Sequence, residues 1–214
     1  MLINLTFVVT LSYLIGSISP GLIIGNLSKK IDIRKYGSGS TGATNVIRTC
    51  GLSWGILVFA LDILKATIPI ILTIILSQNG VGLLPIWSRP IVGIMVMVGH
   101  IWPIYTKFNG GKGIAVGLAV CFMLSPISGL AAIIIALPLI FITKYVSLGS
   151  IAGSISSGIV LCYLSTIGAQ HHPSYCIFAV LGPALAILLH KSNIINLING
   201  QERKFGDRTE ITRQ

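Results

Sequence analysis

Seven apolar runs divide this chain of 214 residues, and no other feature of the sequence restricts its fold as strongly. The runs cover approximately residues 3–26, 53–77, 88–106, 113–124, 128–143, 150–168 and 174–190. A helix needs about 20 apolar residues to cross the hydrocarbon core of a bilayer. Hydrophobic residues make up 53% of the chain and charged residues only 9%, which leaves too little polar surface to enclose a water-soluble core. The sequence therefore predicts an all-α fold, a polytopic integral membrane helix bundle with about seven transmembrane helices.

The fourth run, 113–124, is short for a complete crossing. It could instead form a re-entrant pair with the fifth run, which would leave five crossings without changing the side on which either terminus lies. In both versions, residues 1–199 form a single transmembrane bundle and residues 200–214 form a short cytoplasmic tail. There is no room for a sizeable soluble domain.

The distribution of lysine and arginine predicts the orientation of the bundle, because these residues favour cytoplasmic loops. No lysine or arginine precedes the first run, whereas the inner loops and the tail carry almost all of them, and only Arg89 lies in a predicted outer loop. The inner positions are Lys29, Lys30, Arg34, Lys35, Arg48, Lys107, Lys112, Lys144, Lys191, Arg203, Lys204, Arg208 and Arg213. We expect the N-terminus outside and the C-terminus in the cytoplasm. The net charge of +10 follows from this pattern and is no evidence for a nucleic acid partner.

The first inner loop, YGSGSTGATNVIR, has the composition of an anion-binding loop. Gly37 and Gly39 let successive backbone N–H groups turn towards one ligand. Additional hydroxyl donors come from Ser38, Ser40, Thr41 and Thr44. A helix starting near Thr41 would place Thr44 and Arg48 on one face, where both could contact a phosphate. The alternative is a flexible connector.

The second inner loop, NGGKGIAV, follows the same logic. Gly110, Gly111 and Gly113 free backbone N–H groups, and Lys112 supplies an ammonium just before a helix start. It is not a nucleotide-binding P-loop, which requires glycine in place of Thr106 and a hydroxyl residue in place of Gly113. The alternative is a lysine at the membrane surface in a tight turn.

Two further polar segments lie at inner ends of predicted helices. Ser147 and Ser150 are one turn apart at the start of a run rich in small residues, where tight helix packing is the alternative explanation. His190 and Asn193 are three residues apart and would share a helix face, although a histidine there often serves only to cap the helix.

Ionisable residues also occur within an apolar run. Asp62 and Lys65 lie three residues apart near the middle of the second run, where isolated charges are costly. We predict a buried structural ion pair. His100 and Trp102 are placed where the third run meets the inner interface, and we assign no role to them.

Four segments together resemble one known family: GSGSTGATNVIR, GHIWPIYTKFNGGKG, KYVSLGSI and HKSNIINLINGQE. In this order and spacing they are similar to the bacterial acyl-phosphate:glycerol-3-phosphate acyltransferases, the PlsY family. The resemblance covers essentially the whole chain. It implies a seven-helix membrane enzyme that transfers a fatty acyl group from acyl phosphate to the sn-1 hydroxyl of glycerol 3-phosphate, giving lysophosphatidic acid and phosphate.

The resemblance also implies roles for individual residues. The catalytic residues are expected to be Ser38, Arg48, Lys112, His190 and Asn193. The loops and helix starts described above, rather than the resemblance, supply the residues expected to bind substrate: Gly37, Gly39, Thr44, Asn45, Gly110, Gly111, Gly113, Ser147 and Ser150. The glutamate of the family tail, usually given a structural role, matches Glu202. The family often has Asn and Pro where Ser40 and Thr41 stand, and the residues here remain small and polar.

The chemistry implied by the resemblance requires neither a metal nor another cofactor. Acyl phosphate has a good leaving group, so positioning and charge neutralisation are needed more than a covalent nucleophile. The four cysteines lack metal-site or disulfide spacing, and the predicted inner face has no Ser–His–Asp or Cys–His arrangement. We hypothesise that Arg48 and Lys112 hold the phosphate groups. The proton of the attacking hydroxyl would pass either to His190 or to the acyl phosphate itself.

Two other functions fit the same pattern less well. A transporter of a phosphorylated solute would also use cationic glycine loops, but the chain lacks matched halves. A non-enzymatic membrane subunit could dock an acidic protein through its basic loops. For the enzyme, the expected partners are acyl phosphate, glycerol 3-phosphate, membrane lipid and, transiently, the soluble enzyme that supplies acyl phosphate. The expected location is the bacterial cytoplasmic membrane, with the active site on its cytoplasmic face.

Overall fold

The structure, a computed structural model, describes residues 2–78, 85–168 and 172–209. Ten α-helices lie within these ranges. They are α1 (Leu2–Gly16), α2 (Pro20–Lys29), α3 (Ala43–Cys50), α4 (Leu52–Gln78), α5 (Pro85–Ile101), α6 (Ile114–Leu124), α7 (Pro126–Thr143), α8 (Val146–Thr166), α9 (Cys176–Leu189) and α10 (Lys191–Ile198). The helices confirm the all-α prediction, and each apolar run overlaps at least one of them.

The first apolar run forms two helices rather than one. The break falls between Gly16 and Pro20, and Pro20 begins α2 because proline fits the first turn of a helix, where its missing N–H costs nothing. The Ser17 hydroxyl donates to the Tyr13 carbonyl at 2.8 Å across the end of α1. The two helices together still form one candidate span, Asn4–Lys29.

Several helices are long and apolar enough to cross a bilayer. Four such spans lie within the described residues: Asn4–Lys29, Leu52–Gln78, Pro126–Thr143 and Val146–Thr166. A fifth span arises if α9 and α10, which meet at a bend of 59°, count as one. The fourth run forms α6, which has 11 residues and is separated from α7 only by Ser125.

The helices pack around a core formed by α1, α4, α5, α6, α8 and α9. Phe178 of α9 and Val96 of α5 are fully buried in it. Gly16 lets α1 approach the backbone of α5 at Val96 so closely that a Cβ would overlap the Val96 carbonyl. Large apolar side chains on the outer surface are exposed, for example Ile142 at 80% and Ile159 at 65%. Such a surface suits a lipid environment.

One predicted position needs correction. Arg89, expected in an outer loop, lies in α5, where its guanidinium is 3.5 Å from the Tyr175 hydroxyl. The predicted tail, which the structure describes up to residue 209, contacts the bundle: the Phe205 N–H donates to the Lys144 carbonyl at 2.6 Å. Residues 210–214 of the predicted tail lie outside the described residues.

Candidate active site

A cavity of about 300 Å³ begins among the loops that precede α3 and α6 and continues between α6, α7, α8 and α9. We call the end of the bundle that carries residues 30–42, 102–113 and 200–209 the loop face. The polar wall at this face consists of Ser38, Ser40, Thr44, Asn45, Arg48, Lys112, Ser147, Ser150, His190, Asn193 and Glu202. Away from the loop face the walls are apolar and include Leu118, Ile133, Leu137, Phe178 and Pro183. The cavity is therefore amphipathic.

The loop before α3 is held in shape by Asn45. Its side-chain N–H groups lie within hydrogen-bonding distance of the carbonyls of Ile33, Tyr36 and Ser40, and its side-chain oxygen accepts from the Ser38 N–H at 3.0 Å. Asn45 borders the cavity, but these bonds occupy its amide. The structure thus gives this expected substrate-binding residue a role in shaping the loop.

Gly37 and Gly39 of the same loop adopt left-handed conformations, with φ of 64° and 71°. A side chain at Gly37 would also overlap the side-chain oxygen of Asn45. These glycines permit the turn and are not among the residues that line the cavity, whereas Ser38 between them is. In this conformation the two glycines shape the backbone of the loop, and their contact with substrate stays a prediction.

Thr44 and Arg48 both lie on α3, which begins at Ala43, within two residues of the predicted start. Both residues line the cavity, as their spacing predicts. One terminal nitrogen of Arg48 donates to the tail carbonyls of Arg203 at 3.1 Å and Lys204 at 3.4 Å. The Nε atom of Arg48 is buried and has no hydrogen-bond partner, so the guanidinium retains donor capacity.

The glycines of the second loop differ in their roles. Gly113 has φ of 79°, precedes α6 and lines the cavity. Gly111 donates its N–H to the His100 carbonyl at 3.1 Å, and the Gly110 carbonyl accepts from the Thr41 N–H at 3.4 Å. In this conformation the Gly111 N–H is thus occupied by the His100 carbonyl, and its contact with substrate stays a prediction. Gly110 and Gly111 instead lack side chains because each would collide with His100.

Lys112 belongs to a chain of polar contacts that joins three distant segments. Its ammonium donates to the side-chain oxygen of Asn193. Asn193 in turn donates to Oε1 of Glu202 at 2.7 Å, and the Ser147 hydroxyl donates to the same oxygen at 2.7 Å. Glu202 is only 8% exposed. The carboxylate thus links the start of α8, α10 and, through Asn193, the second loop.

His190 lies at the bend between α9 and α10 and is 4% exposed. Its Nδ1 is 2.7 Å from the Ala186 carbonyl, which can only accept, so we assign the proton to Nδ1. Nε2 is then the ring's acceptor. Because the chain bends here, His190 and Asn193 do not share one straight helix as predicted, but both reach the cavity wall.

Burial disfavours the charged forms of the two cations that border the cavity, Arg48 and Lys112. Burial lowers the pKa of Lys112, the Arg48 guanidinium lowers it further, and the Glu202 carboxylate raises it. Burial likewise lowers the pKa of Arg48, and Arg203 adds to that effect. Arginine remains charged under physiological conditions. An anionic ligand would relieve the repulsion between these two cations.

The structure brings all five expected catalytic residues to one cavity wall, together with Thr44, Ser147 and Ser150. Sequence reasoning missed one contributor. His100 packs against the second loop, although the sequence indicated only an interfacial position. Glu202 was found through the family resemblance alone, because its position in a polar tail carries no signal of burial.

The fold and the cavity define a helical integral membrane protein with an amphipathic cleft whose polar end is cationic. The profile of the glycerol-3-phosphate acyltransferase family matches residues 6–200, so the chain belongs to that family of membrane enzymes.

Relatives and solved structures agree with this assignment. The glycerol-3-phosphate acyltransferase of Thermoanaerobacter pseudethanolicus is 43% identical over 94% of this chain and 96% of its own. That of Halalkalibacterium halodurans is 38% identical over 94% and 95%. The crystal structure of PlsY, an integral membrane glycerol 3-phosphate acyltransferase, in its glycerol 3-phosphate form is 37% identical, with a TM-score of 0.83 over 95% of this chain and 96% of that one. Its lysophosphatidic acid form is 36% identical, with a TM-score of 0.80 over the same shares.

Proposed function

We propose that this protein transfers a fatty acyl group from acyl phosphate to the sn-1 hydroxyl of glycerol 3-phosphate, giving lysophosphatidic acid and phosphate. The amphipathic cavity supports the proposal most directly: one end carries Arg48 and Lys112, and the other is a channel with apolar walls. A solute transporter would have no need for such a channel, and membership of an acyltransferase family also favours the enzyme.

The polar end is suited to hold the phosphate groups of both substrates. Arg48 and Lys112 supply two positive charges, and Ser38, Thr44 and Ser150 offer hydroxyl donors beside them. Charge-assisted hydrogen bonds of this kind are stronger than neutral ones. Phosphates bound here would place the acyl carbonyl and the attacking hydroxyl near one another, which lowers the barrier through proximity.

The apolar channel between α6, α7, α8 and α9 is suited to the acyl chain. Ile133 and Leu137 of α7 and Phe178 and Pro183 of α9 are among the residues that line it. An acyl chain gains roughly 0.8 kcal/mol for each CH₂ group kept out of water. The donor therefore stays at the membrane, and the soluble acceptor comes to it.

The transfer step uses this chain's residues without a covalent intermediate. The sn-1 oxygen attacks the acyl carbonyl carbon, a new ester C–O bond forms, and the C–O bond to phosphate breaks with its electron pair leaving on the phosphate oxygen. The hydroxyl proton passes either to Nε2 of His190 or to an oxygen of the acyl phosphate. Arg48 and Lys112 neutralise the negative charge that the leaving phosphate gains.

We further propose seven crossings, with the N-terminus outside and the C-terminus in the cytoplasm of a bacterial cell, whose cytoplasmic membrane holds the protein. Residues 1–199 would be one bundle and 200–214 the tail. The positive residues concentrated at the loop face support this orientation. The loop face, and the active site with it, would then meet a soluble enzyme that delivers acyl phosphate.

The reaction is tested with purified protein in lipid vesicles, acyl phosphate and radiolabelled glycerol 3-phosphate. Labelled lysophosphatidic acid is expected with acyl phosphate and not with the thioester acyl-CoA; the reverse preference would refute the donor assignment. Arg48→Ala, Lys112→Ala and Ser38→Ala should each reduce kcat/KM by about 100-fold or more. Lys191→Ala is the matched control, because Lys191 is exposed and lies outside the cavity wall.

His190→Gln distinguishes the two proton acceptors. If the imidazole is the base, kcat should fall by about 100-fold or more. Activity near that of the wild type would eliminate His190 as an essential base and leave the phosphate oxygen as acceptor.

Orientation is tested by labelling single cysteines placed at Ser38 and at Lys112 with a membrane-impermeant thiol reagent. The other four cysteines, free in this structure, are first replaced by serine or alanine. Both positions should react only in inverted vesicles. Reaction of the two from opposite sides would refute the shared loop face.

A further inference from the structure

Three ionisable side chains meet inside the bundle below the second loop. Asp62 and Lys65 of α4 form an ion pair at 2.9 Å, and Nδ1 of His100 lies 3.0 Å from the Lys65 ammonium and 3.4 Å from the Asp62 carboxylate. All three are buried, with exposures of 1%, 6% and 5%. The predicted ion pair is therefore confirmed, and it has a third member that the sequence did not indicate. We call these three residues the buried charge cluster.

Stability alone is a weak explanation for such a cluster. Replacing a buried ion pair with well-packed apolar residues is often neutral or stabilising, because removing charges from water is costly. Ionisable residues within membrane-spanning helices are correspondingly rare and usually functional. The contacts that the cluster makes with its surroundings therefore indicate what it does.

The cluster contacts two other parts of the chain. The Lys65 ammonium donates to the Ile18 carbonyl at 2.6 Å, in the break between α1 and α2. His100 lies in the last turn of α5, and its ring edge opposite the cluster, with Nε2, packs against Gly111. The ring leaves no room for a side chain at Gly111, and the His100 carbonyl accepts the Gly111 N–H. One residue thus holds Gly111 through both ring and backbone.

Lys112 directly follows Gly111 in sequence. From the backbone position that His100 holds at Gly111, the Lys112 ammonium reaches Asn193 and the cavity. Asp62 and His100 themselves border the cavity, so the cluster lies immediately beneath the polar end. A displacement of about 1 Å at a phosphate-binding cation is enough to cost a large factor in rate.

We propose that Asp62, Lys65 and His100 are positioning residues for Lys112: the cluster orients the His100 ring, and the ring sets the path of the second loop. This inference rests on the proposed function, since it gives Lys112 the role of binding substrate phosphate. The cluster acts through the loop and needs no contact with substrate.

The first test compares single and double variants. Gly111→Ala and His100→Ala should each lower kcat/KM for glycerol 3-phosphate by about tenfold or more, with a raised KM for this substrate. In the double variant, kcat/KM should fall no further than in the more impaired single variant. Alanine at position 100 makes room for the new Cβ at position 111, and both changes displace the same loop. Losses that multiply would overturn the proposal, as would full activity of Gly111→Ala.

A second test does not depend on catalysis. The rate at which Lys112 is acetylated by an amine-reactive reagent is measured by mass spectrometry in the wild type, in His100→Ala and in the milder Asp62→Asn. Release of the loop should raise this rate about fivefold or more, while exposed Lys191 keeps its rate. If the acetylation rate of Lys112 is unchanged in a folded variant, the proposal is overturned. This readout does not depend on which acyl donor the enzyme uses.

Thr73→Val is the matched control for both tests. Thr73 is a fully buried polar residue on the same helix as Asp62, and its hydroxyl donates only to the Pro69 carbonyl one turn away. It should leave kcat/KM and Lys112 acetylation within about twofold of the wild type. A Thr73→Val effect as large as that of His100→Ala would mean that any polar loss in the bundle disturbs the loop, which also overturns the proposal.

Discussion

Replacement of Glu202 gives the sharpest test of how the site is held together. A single oxygen, Oε1, accepts both hydrogen bonds, from Ser147 and from Asn193. Glu202→Gln can keep that acceptor as a carbonyl oxygen and removes only the charge, whereas Glu202→Ala removes the acceptor too. The pair of variants therefore separates the charge of this residue from its hydrogen bonds.

The expected magnitudes follow from those two bonds. Hydrogen bonds to a charged group contribute about 1.5–3 kcal/mol and neutral ones about 0.5–1.5 kcal/mol, so Glu202→Gln should lower the free energy of unfolding by about 2 kcal/mol. Glu202→Ala leaves two donors without their partner at a site where Ser147 is buried, and it should cost about 4 kcal/mol. Unfolding by SDS titration in mixed micelles measures both. Equal losses in the two variants would refute the shared acceptor.

Glu202→Gln should also change the pH dependence of activity. The Lys112 side chain is a charged ammonium below its pKa, and it loses that charge as pH rises through the pKa. Burial lowers this pKa and Glu202 raises it, so Glu202→Gln should lower it further. The alkaline fall of kcat/KM should then move to lower pH than in the wild type. A shift of the alkaline fall to higher pH would contradict its assignment to Lys112.

Three further changes have defined outcomes. Lys112→Arg keeps a charge that does not titrate, so the alkaline fall of kcat/KM should move to higher pH, and the altered geometry should lower kcat/KM by about tenfold. If the alkaline fall keeps its position, another group causes it. Arg34→Ala removes the bond at 3.0 Å to the Thr106 carbonyl that ties the two loops together. KM for glycerol 3-phosphate should rise about threefold to tenfold, and an unchanged KM would mean that the loops hold each other without this bond. Ala136→Phe narrows the apolar channel from α7 and should favour short acyl phosphates over long ones in competition assays, whereas an unaltered preference would place the acyl chain elsewhere.

Hydropathy and charge predicted the helices well because the bilayer imposes a simple rule on apolar length. The break before Pro20 escaped that rule, since the run stays apolar on both sides of it. Arg89 was also misplaced: it was predicted in an outer loop, but it lies in α5, where its guanidinium contacts the Tyr175 hydroxyl.

The candidate site was predictable to the extent that it consists of motifs. Ser38 and Lys112 lie in glycine-rich cationic loops and Arg48 lies in the short helix that follows the first of them, and such loops can be recognised in a sequence. The roles of Gly111 and His100 depend on a contact between a helix end and a loop, which leaves no periodic or compositional trace. The burial of Glu202 could not be predicted from the sequence either, because a carboxylate in a polar tail normally faces water.

The position of Glu202 after α10 has a consequence for biosynthesis. Among the described residues that line the cavity, Glu202 comes last in the sequence and is therefore translated last. A chain truncated just before this residue could still insert its apolar helices into the bilayer, yet it would lack the acceptor for Ser147 and Asn193. We expect such truncated products to be inserted but inactive.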